Sequence, residues 1–412
     1  MATRGRSSRL RFAAPTSRGT EPLLAAELRS FGIHRTKEGP GVVEFHGGLR
    51  EGYRALLWSR IASRVLLQLS RFDCRDADEL YAGVRAIDWA EHLDPDHTLA
   101  VDFVGTSRTL RHSGFAALRT KDAIVDALRD ASGRRPDVDT VRPDLRINVY
   151  LSNAVATVSL DLAGRPLHER GEPGRRAGAA PLKETLAAAI LHAADWPRQA
   201  ARGAPFVDPM CGAGTLPLEA AGIALDLAPN LERRSWGFDG WRGHDEDTWV
   251  EELTAAFERR DAALGRTISI QGWDRDLRVL DAARENARRQ GLLDVVRFSR
   301  RGWSDAVAPD GADAAPRGVL VTNPPYGERL GKDEDLEGLY RAIGDGLKRR
   351  FPGWSGWVIT GSRHLAGCIG LKAASRLPLW NGRIECRLLE FPMRDELPTG
   401  QGPGWRGDGP AD

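Results

Sequence analysis

From Pro205 to Thr360 strand-like and helix-like stretches alternate, and that alternation constrains the fold more than any other feature of the chain. "PFVDPMCGAGTLPLEAAGIAL" reads as strand, glycine loop and helix, and "ISIQGWDRDLRVLDAARENARRQG" as strand, turn and a helix stopped by Gly291. "VVRFSRR", "GVLVTNPPYG" and "WSGWVIT" read as further strands, and "DEDLEGLYRAIGDGLKRRF" as a helix with Leu336, Leu339, Tyr340, Ile343 and Leu347 on one face. Such alternation predicts an α/β fold with a doubly wound, mainly parallel sheet. "RLPLWNGRIECRLLEF" then sets Asn381-Gly382 between two strand-like runs, which predicts a closing antiparallel hairpin because both turn positions tolerate positive φ.

The N-terminal half has a different style, α+β by pattern. "LRFAAP" and "GVVEFHG" read as strands, and "GTEPLLAAELRSFG" as a helix closed by Gly32. "LREGYRALLWSRIASRV" reads as a helix that runs into the strand "VLLQLSRF". A helix over "GFAALRTKDAIVDALRDASG" carries Phe115, Leu118, Ile124, Val125 and Leu128 largely on one stripe, and two strands flank a turn at Ser152-Asn153. The Gly-, Pro- and Arg-rich stretch Gly164 to Pro181 reads as an irregular connector, and an Ala-rich helix follows it. The expected divisions are 9–75, 76–164, a basic connector and helix over 165–200, 201–393, and a disordered tail over 394–412. Between Ala224 and Arg266 an insertion brings Trp236, Phe238, Trp241 and Trp249, for which packing onto the fold is the expected use.

At 412 residues two or three domains are expected, and a net charge of only +2 means that a nucleic-acid surface must be a local patch. The four cysteines are scattered without metal-ligand spacing, so no metal site is expected and a reducing compartment is. No apolar stretch has signal-peptide or membrane-spanning character, which points to the cytoplasm and to no membrane partner.

The chemistry concentrates at two strand exits. In "VDPMCGAGTLPLEAA", Gly212 and Gly214 stand where a strand hands over to a helix, letting a ligand approach backbone N–H groups. Pro217 occupies the place of the third glycine of a dinucleotide fingerprint, and Asp208 would repel a pyrophosphate but accept from an amino group, so a cation-bearing cofactor is favoured over a dinucleotide. Asp274, at the end of the next strand, is placed to accept from ribose hydroxyls; Asp276 competes for that role but also fits a helix N-cap.

The second exit is Asn323-Pro324-Pro325-Tyr326. Two prolines surrender two N–H donors and fix two φ angles, so the segment leaves the sheet rigidly. The Asn323 side chain and the Pro324 carbonyl could together offer two acceptors to a planar NH2 group, and Tyr326 a face on which a flipped base could stack. Any planar amine suits this arrangement, including adenine in DNA or a protein glutamine.

"DPMCGAGTLPLEAA", "NPPYGERL" and "APLKETLAAAIL", with "LWSRIASRVLL", "KDAIVDALR" and "LHERG", closely resemble the THUMP-domain RNA guanine-N2 methyltransferases, in particular the N-terminal half of the bifunctional large-subunit ribosomal RNA enzymes. The resemblance runs from about Phe12 to Phe391. It implies a Rossmann-like methyltransferase domain behind an RNA-gripping ferredoxin-like and THUMP module, S-adenosylmethionine as methyl donor, and a guanosine of 23S rRNA as substrate. Transfer RNA is the alternative substrate, and a noncatalytic ribosome-assembly factor the alternative from another class. Asp208, Pro209, Cys211, Gly212, Gly214, Thr215 and Asp274 are implied at the cofactor, with Asp305 in a shifted register near the adenine. Asn323, Pro324, Pro325 and Tyr326 are implied at the target base. The bifunctional enzymes carry a second domain making 7-methylguanosine, and that activity is expected to be absent from a chain ending soon after the hairpin. RNA contacts are expected from Arg108, Arg111, His112 and Lys121 and from the connector residues Arg165, Arg170, Arg175 and Arg176.

Overall fold

The computed structural model describes residues 9–170, 182–263, 265–309, 317–326 and 335–395. Arg175 and Arg176 lie outside them.

Seven strands form one continuous N-terminal sheet in the order β2-β3-β1-β4-β7-β6-β5. They are β1 (Leu10–Pro15), β2 (Thr36–Gly39), β3 (Val42–Gly47), β4 (Leu66–Asp73), β5 (Leu99–Val104), β6 (Leu145–Ser152) and β7 (Val155–Asp161). β4 joins the halves, since it pairs antiparallel with both β1 and β7. Four helices accompany them: α1 (Glu21–Ser30), α2 (Leu49–Trp58), α3 (Ala77–Arg85) and α4 (Ser113–Ser132).

Three local expectations shift by a few residues. The helix α2 stops at Trp58, well short of Val65, because the next residues are drawn to a buried carboxylate: Glu27 accepts from the Ser59 hydroxyl (2.6 Å) and the Arg60 amide (2.9 Å). In α4 the first two residues of the expected stripe face water, Phe115 at 55% and Leu118 at 61% exposure, while Ala116, Thr120, Ala123, Ile124, Val125 and Leu128 are buried. The β6–β7 turn is Asn153-Ala154, both at positive φ (50° and 57°), one residue later than the sequence suggests.

The second sheet runs β10-β9-β8-β11-β12-β14-β13, from β8 (Phe206–Asp208), β9 (Ile270–Asp274), β10 (Val296–Arg300), β11 (Val319–Thr322), β12 (Ser355–Thr360), β13 (Ser375–Asn381) and β14 (Ile384–Pro392). β8 to β12 are parallel, and the last two form the antiparallel hairpin. Its helices are α5 (Glu184–Ala193), α6 (Trp196–Ala201), α7 (Thr215–Ala224), α8 (Glu246–Ala263), α9 (Leu277–Arg289), α10 (Leu336–Arg350) and α11 (Arg363–Cys368). Both faces are covered, as a parallel sheet requires. Phe206, Val319 and Val321 pack with α5, α6 and α7 on one side, while Val207, Leu320 and Val358 pack with Tyr340, Ile343 and Leu347 of α10 on the other.

The aromatic insertion belongs to the N-terminal core. Trp236, Phe238, Trp241 and Trp249 join the cluster of Tyr53 and Leu56, with Phe238 and Trp249 ring centroids 5.2 and 5.5 Å from Tyr53. Glu252 of α8 accepts from Arg54 of α2 at 2.8 and 2.9 Å. A second tie is charged: Glu219 of α7 accepts from Arg60 (2.9 Å) and from Arg170 (2.9 Å), all three side chains being at most 9% exposed. Burial alone would push the Glu219 carboxyl up, but the two guanidinium groups outweigh it and hold it below its ordinary value.

Glu219→Ala is expected to strand two buried guanidinium groups and cost about 3–5 kcal/mol. Loss of Asp226, which pairs with Arg259 at the surface, is expected to cost about 1 kcal/mol or less. Parallel denaturant melts of Glu219→Ala and Asp226→Ala check the contrast, and equal midpoints would refute it.

Candidate active site

Strand order reverses between β8 and β11, because β9 and β10 lie to one side of them and β12 to the other. A doubly wound sheet opens its ligand crevice at this point, beyond the carboxyl ends of the two strands. Asp208 ends β8, and Asn323 to Tyr326 follow β11. The topology thus brings together the two strand exits that carry the chemistry.

Asp208 is 2% exposed, accepts from the Met210 amide (3.1 Å), and has no Lys, Arg or His partner among the described residues. Burial pushes its carboxyl up to about 8; the Met210 amide and Thr322 offset part of the rise, and the nearby Asp274 adds to it. Such a group has unmet demand for a cation. The loop after it is pinned from the neighbouring strand: Asp274 accepts from the Gly212 amide (3.0 Å) with one oxygen and from the Asp276 amide (3.0 Å) with the other. The Cys211 amide donates to the Trp273 carbonyl (2.8 Å).

Gly214 caps α7 at φ +85°, where a Cβ would also lie 3.0 Å from the Phe298 ring and 3.1 Å from Ala283. No larger residue fits that corner. Pro209 precedes the loop and Thr215 opens α7, while Cys211 is buried, its thiol pushed up by burial and by the two carboxylates. A buried carboxylate without a cationic partner among the described residues, beside a backbone turn kept free of side chains, fits a ligand that bears a cation.

The Asn323 Oδ1 is buried and has no hydrogen-bond partner among the described residues. A buried orphan acceptor costs free energy unless a ligand satisfies it, and this one lies just past β11. Pro324 is buried and Pro325 half-buried beside it. The Tyr326 ring is half-buried between the two faces of the sheet's core, with its hydroxyl against the hairpin.

Residues 173–390 match the RMKL-like methyltransferase domain, residues 74–161 the THUMP domain and residues 11–66 the RlmL ferredoxin-like domain. The chain belongs to the RMKL-like methyltransferases.

Its curated relatives include ribosomal RNA large subunit methyltransferases K/L of Syntrophotalea carbinolica, 47% identical over 94% of this chain, and of Ectopseudomonas mendocina, 43% identical over 95%. The chain spans about half the length of these relatives, 54% of each. Among solved structures, a candidate methyltransferase in complex with SAH superposes with a TM-score of 0.82 at 31% identity, covering 94% of this chain and 98% of the other.

Other expected residues of this RMKL-like chain fall unevenly. Asp276 is the α9 N-cap, accepting from the Arg278 amide (2.9 Å), which leaves Asp274 as the acid at the loop. Asp305 is exposed in a short 3-10 turn, Trp303–Asp305, after β10. Arg108, Arg111 and His112 are exposed together between β5 and α4. Lys121 is turned onto Asp122, and Arg165 pairs with Glu169 at 3.5 Å. Arg170 is a correction: its side chain is 3% exposed and bonds Glu219, the Leu167 carbonyl (2.7 Å) and the Arg60 carbonyl (2.8 Å), so it serves the domain interface and cannot reach a phosphate.

The fold also assembles groups that spacing conceals. Asn286 of α9 donates to the Ala213 carbonyl (3.1 Å) and braces the loop, although in sequence it is one polar residue of an amphipathic helix. Glu337, His364 and Cys368 bring a carboxylate, an imidazole and a thiol within 4.8 Å of one another between α10 and α11. Glu337 is already engaged by His364 (2.7 Å) and Arg341 (2.5 Å). No helix among the described residues is long and apolar enough to cross a membrane.

The raised Asp208 pKa has a signed consequence. Between an unfolded value near 4 and the folded value of about 8, the folded state holds a proton that the unfolded state has lost, so stability declines as pH rises across that window. Asp208→Asn keeps an acceptor and removes the titration. Thermal melts from pH 4 to 9 should show the variant gaining on the wild type with rising pH and level with it near pH 4; parallel curves would contradict the assignment.

Proposed function

We propose that this chain is an S-adenosylmethionine-dependent RNA methyltransferase acting on the exocyclic N2 amine of a guanosine, with 23S rRNA as its substrate. The observation that carries the reading is the buried Asn323 Oδ1, unsatisfied among the described residues, at the exit of β11 beside β8, whose last residue is the buried Asp208. The names of the curated relatives favour ribosomal RNA, and the THUMP match favours RNA over DNA or protein.

S-adenosylmethionine, when bound, supplies an electrophilic methyl group carried on a sulfonium. Asp208 would pair with the cofactor's ammonium group, the backbone around Gly212 and Gly214 would make room for it, and Asp274 would accept from its ribose. Asn323 Oδ1 and the Pro324 carbonyl would each accept one N2 hydrogen of guanine. That amine is a poor nucleophile because its lone pair is conjugated with the ring. Two fixed acceptors favour its pyramidal, increasingly positive form, and preorganised groups aimed at developing charge are each worth about 3 kcal/mol. Holding the amine in line with the methyl group contributes further by removing orientational freedom. The proton lost from N2 after transfer passes to water, since an amide and a carbonyl are not bases. Tyr326 would stack on the flipped base.

Unmodified 23S rRNA incubated with the protein and labelled S-adenosylmethionine should yield labelled N2-methylguanosine on nucleoside mass spectrometry. Asn323→Ala should lower that yield per unit time about 100-fold with cofactor affinity nearly unchanged. Label appearing only in transfer RNA would keep the chemistry and replace the substrate. Cofactor binding without turnover on any RNA would favour an assembly factor.

A further inference from the structure

Tyr326 follows two prolines, yet its ring can still turn about two side-chain torsions. Three contacts from outside the motif remove that freedom. Asn381 Nδ2 donates to Tyr326 Oη at 3.3 Å, and Cys386 Sγ–H donates to the same oxygen at 3.4 Å. Gly361, just past β12, faces the ring so closely that a Cβ there would lie 2.9 Å from Tyr326 Cδ2 and Cε2.

Both donors belong to the terminal hairpin, and its register explains why they are available. Asn381 pairs with Ile384, so the two loop residues are Gly382 and Arg383, and Gly382 alone takes the positive φ, +64°. Asn381 is therefore the last residue of β13 and not a turn residue, which corrects the expected Asn381-Gly382 turn and leaves its amide free to reach Tyr326. Cys386 is 1% exposed and has no disulfide partner among the described residues. The phenol accepts from both donors and keeps its own proton, in line with the burial that pushes its pKa up.

We propose that the hairpin sets the plane of the target-base platform: Asn381 and Cys386 are positioning residues that act through the Tyr326 hydroxyl, and Gly361 supplies the space the ring occupies. This rests on the reading that Tyr326 faces the target base. A stacking ring must lie parallel to the base, and small displacements of positioning groups have large kinetic effects.

The test is a cycle of variants assayed by labelled methyl transfer at saturating cofactor with RNA titrated. Asn381→Ala and Cys386→Ala should each lower kcat/KM for RNA by roughly three- to tenfold, the size of one net hydrogen bond, and Tyr326→Phe, which loses both bonds, by at least as much. SAH affinity should be unchanged. Adding Asn381→Ala or Cys386→Ala to Tyr326→Phe should cost nothing further, because the shared acceptor is already gone, whereas a merely structural role would multiply. Cys386→Ser, which retains a donor, should recover most of the loss. Multiplying effects, or single variants at wild-type rates while Tyr326→Ala is strongly impaired, would overturn the hairpin's role alone. Tyr326→Ala at wild-type rate would remove the platform itself and with it the reading of the base site.

Discussion

The carboxylate of Glu219 is the point on which this architecture turns. It sits on the helix that leaves the glycine loop, and it is clamped by one arginine from the N-terminal module and one from the connector. A buried ion triad stabilises little compared with a well-packed apolar cluster, but losing one member leaves the others uncompensated. Together with the aromatic insertion and the Arg54–Glu252 pair, this contact holds the two halves in one geometry. Because Gly214 caps α7, the same contact steadies the backbone turn in the crevice.

Within the crevice, opposing demands are kept apart by topology. One side is acidic, with Asp274 close enough to add to the cost of ionising Asp208, and Asp274 also pins the glycine loop. Asn323, past the neighbouring strand β11, offers a neutral acceptor that no described residue satisfies. Both features cost free energy in the isolated protein, and on the proposed reading a cation and an amine would offset that cost. Local free-energy cost of this kind is a usual mark of a functional site.

Much of this was legible in the sequence, and what was not has definite physical causes. Parallel alternation, the glycine loop, Asp208 and the rigid Asn-Pro-Pro-Tyr exit are local signals, set by backbone chemistry over a few residues. The premature end of α2 was hidden because its cause, Glu27, lies more than thirty positions earlier. Arg170 looked like a surface cation because composition cannot tell an arginine facing solvent from one facing Glu219. The turn at Asn381-Gly382 was displaced by one residue, since Asn-Gly admits two registers and only pairing across the hairpin chooses between them. Phe115 and Leu118 lie on an apolar stripe by spacing, but the first turns of α4 bury the face that carries Ala116 and Thr120 and leave these two in water.

The aromatic insertion has a consequence for modularity. It is threaded between β8 and β9, neighbours in the second sheet, yet its side chains complete the core of the first. Pairing β8 with β9 therefore requires closing a long loop whose own packing partner is the other half of the chain, a cost typical of slow, non-local folding. Cut free at the connector, the catalytic half would carry four bulky rings with no core to enter, a patch that invites aggregation. The two halves are separable by sequence homology and inseparable as folding units: neither could be exchanged for a foreign module unless the insertion were exchanged with it.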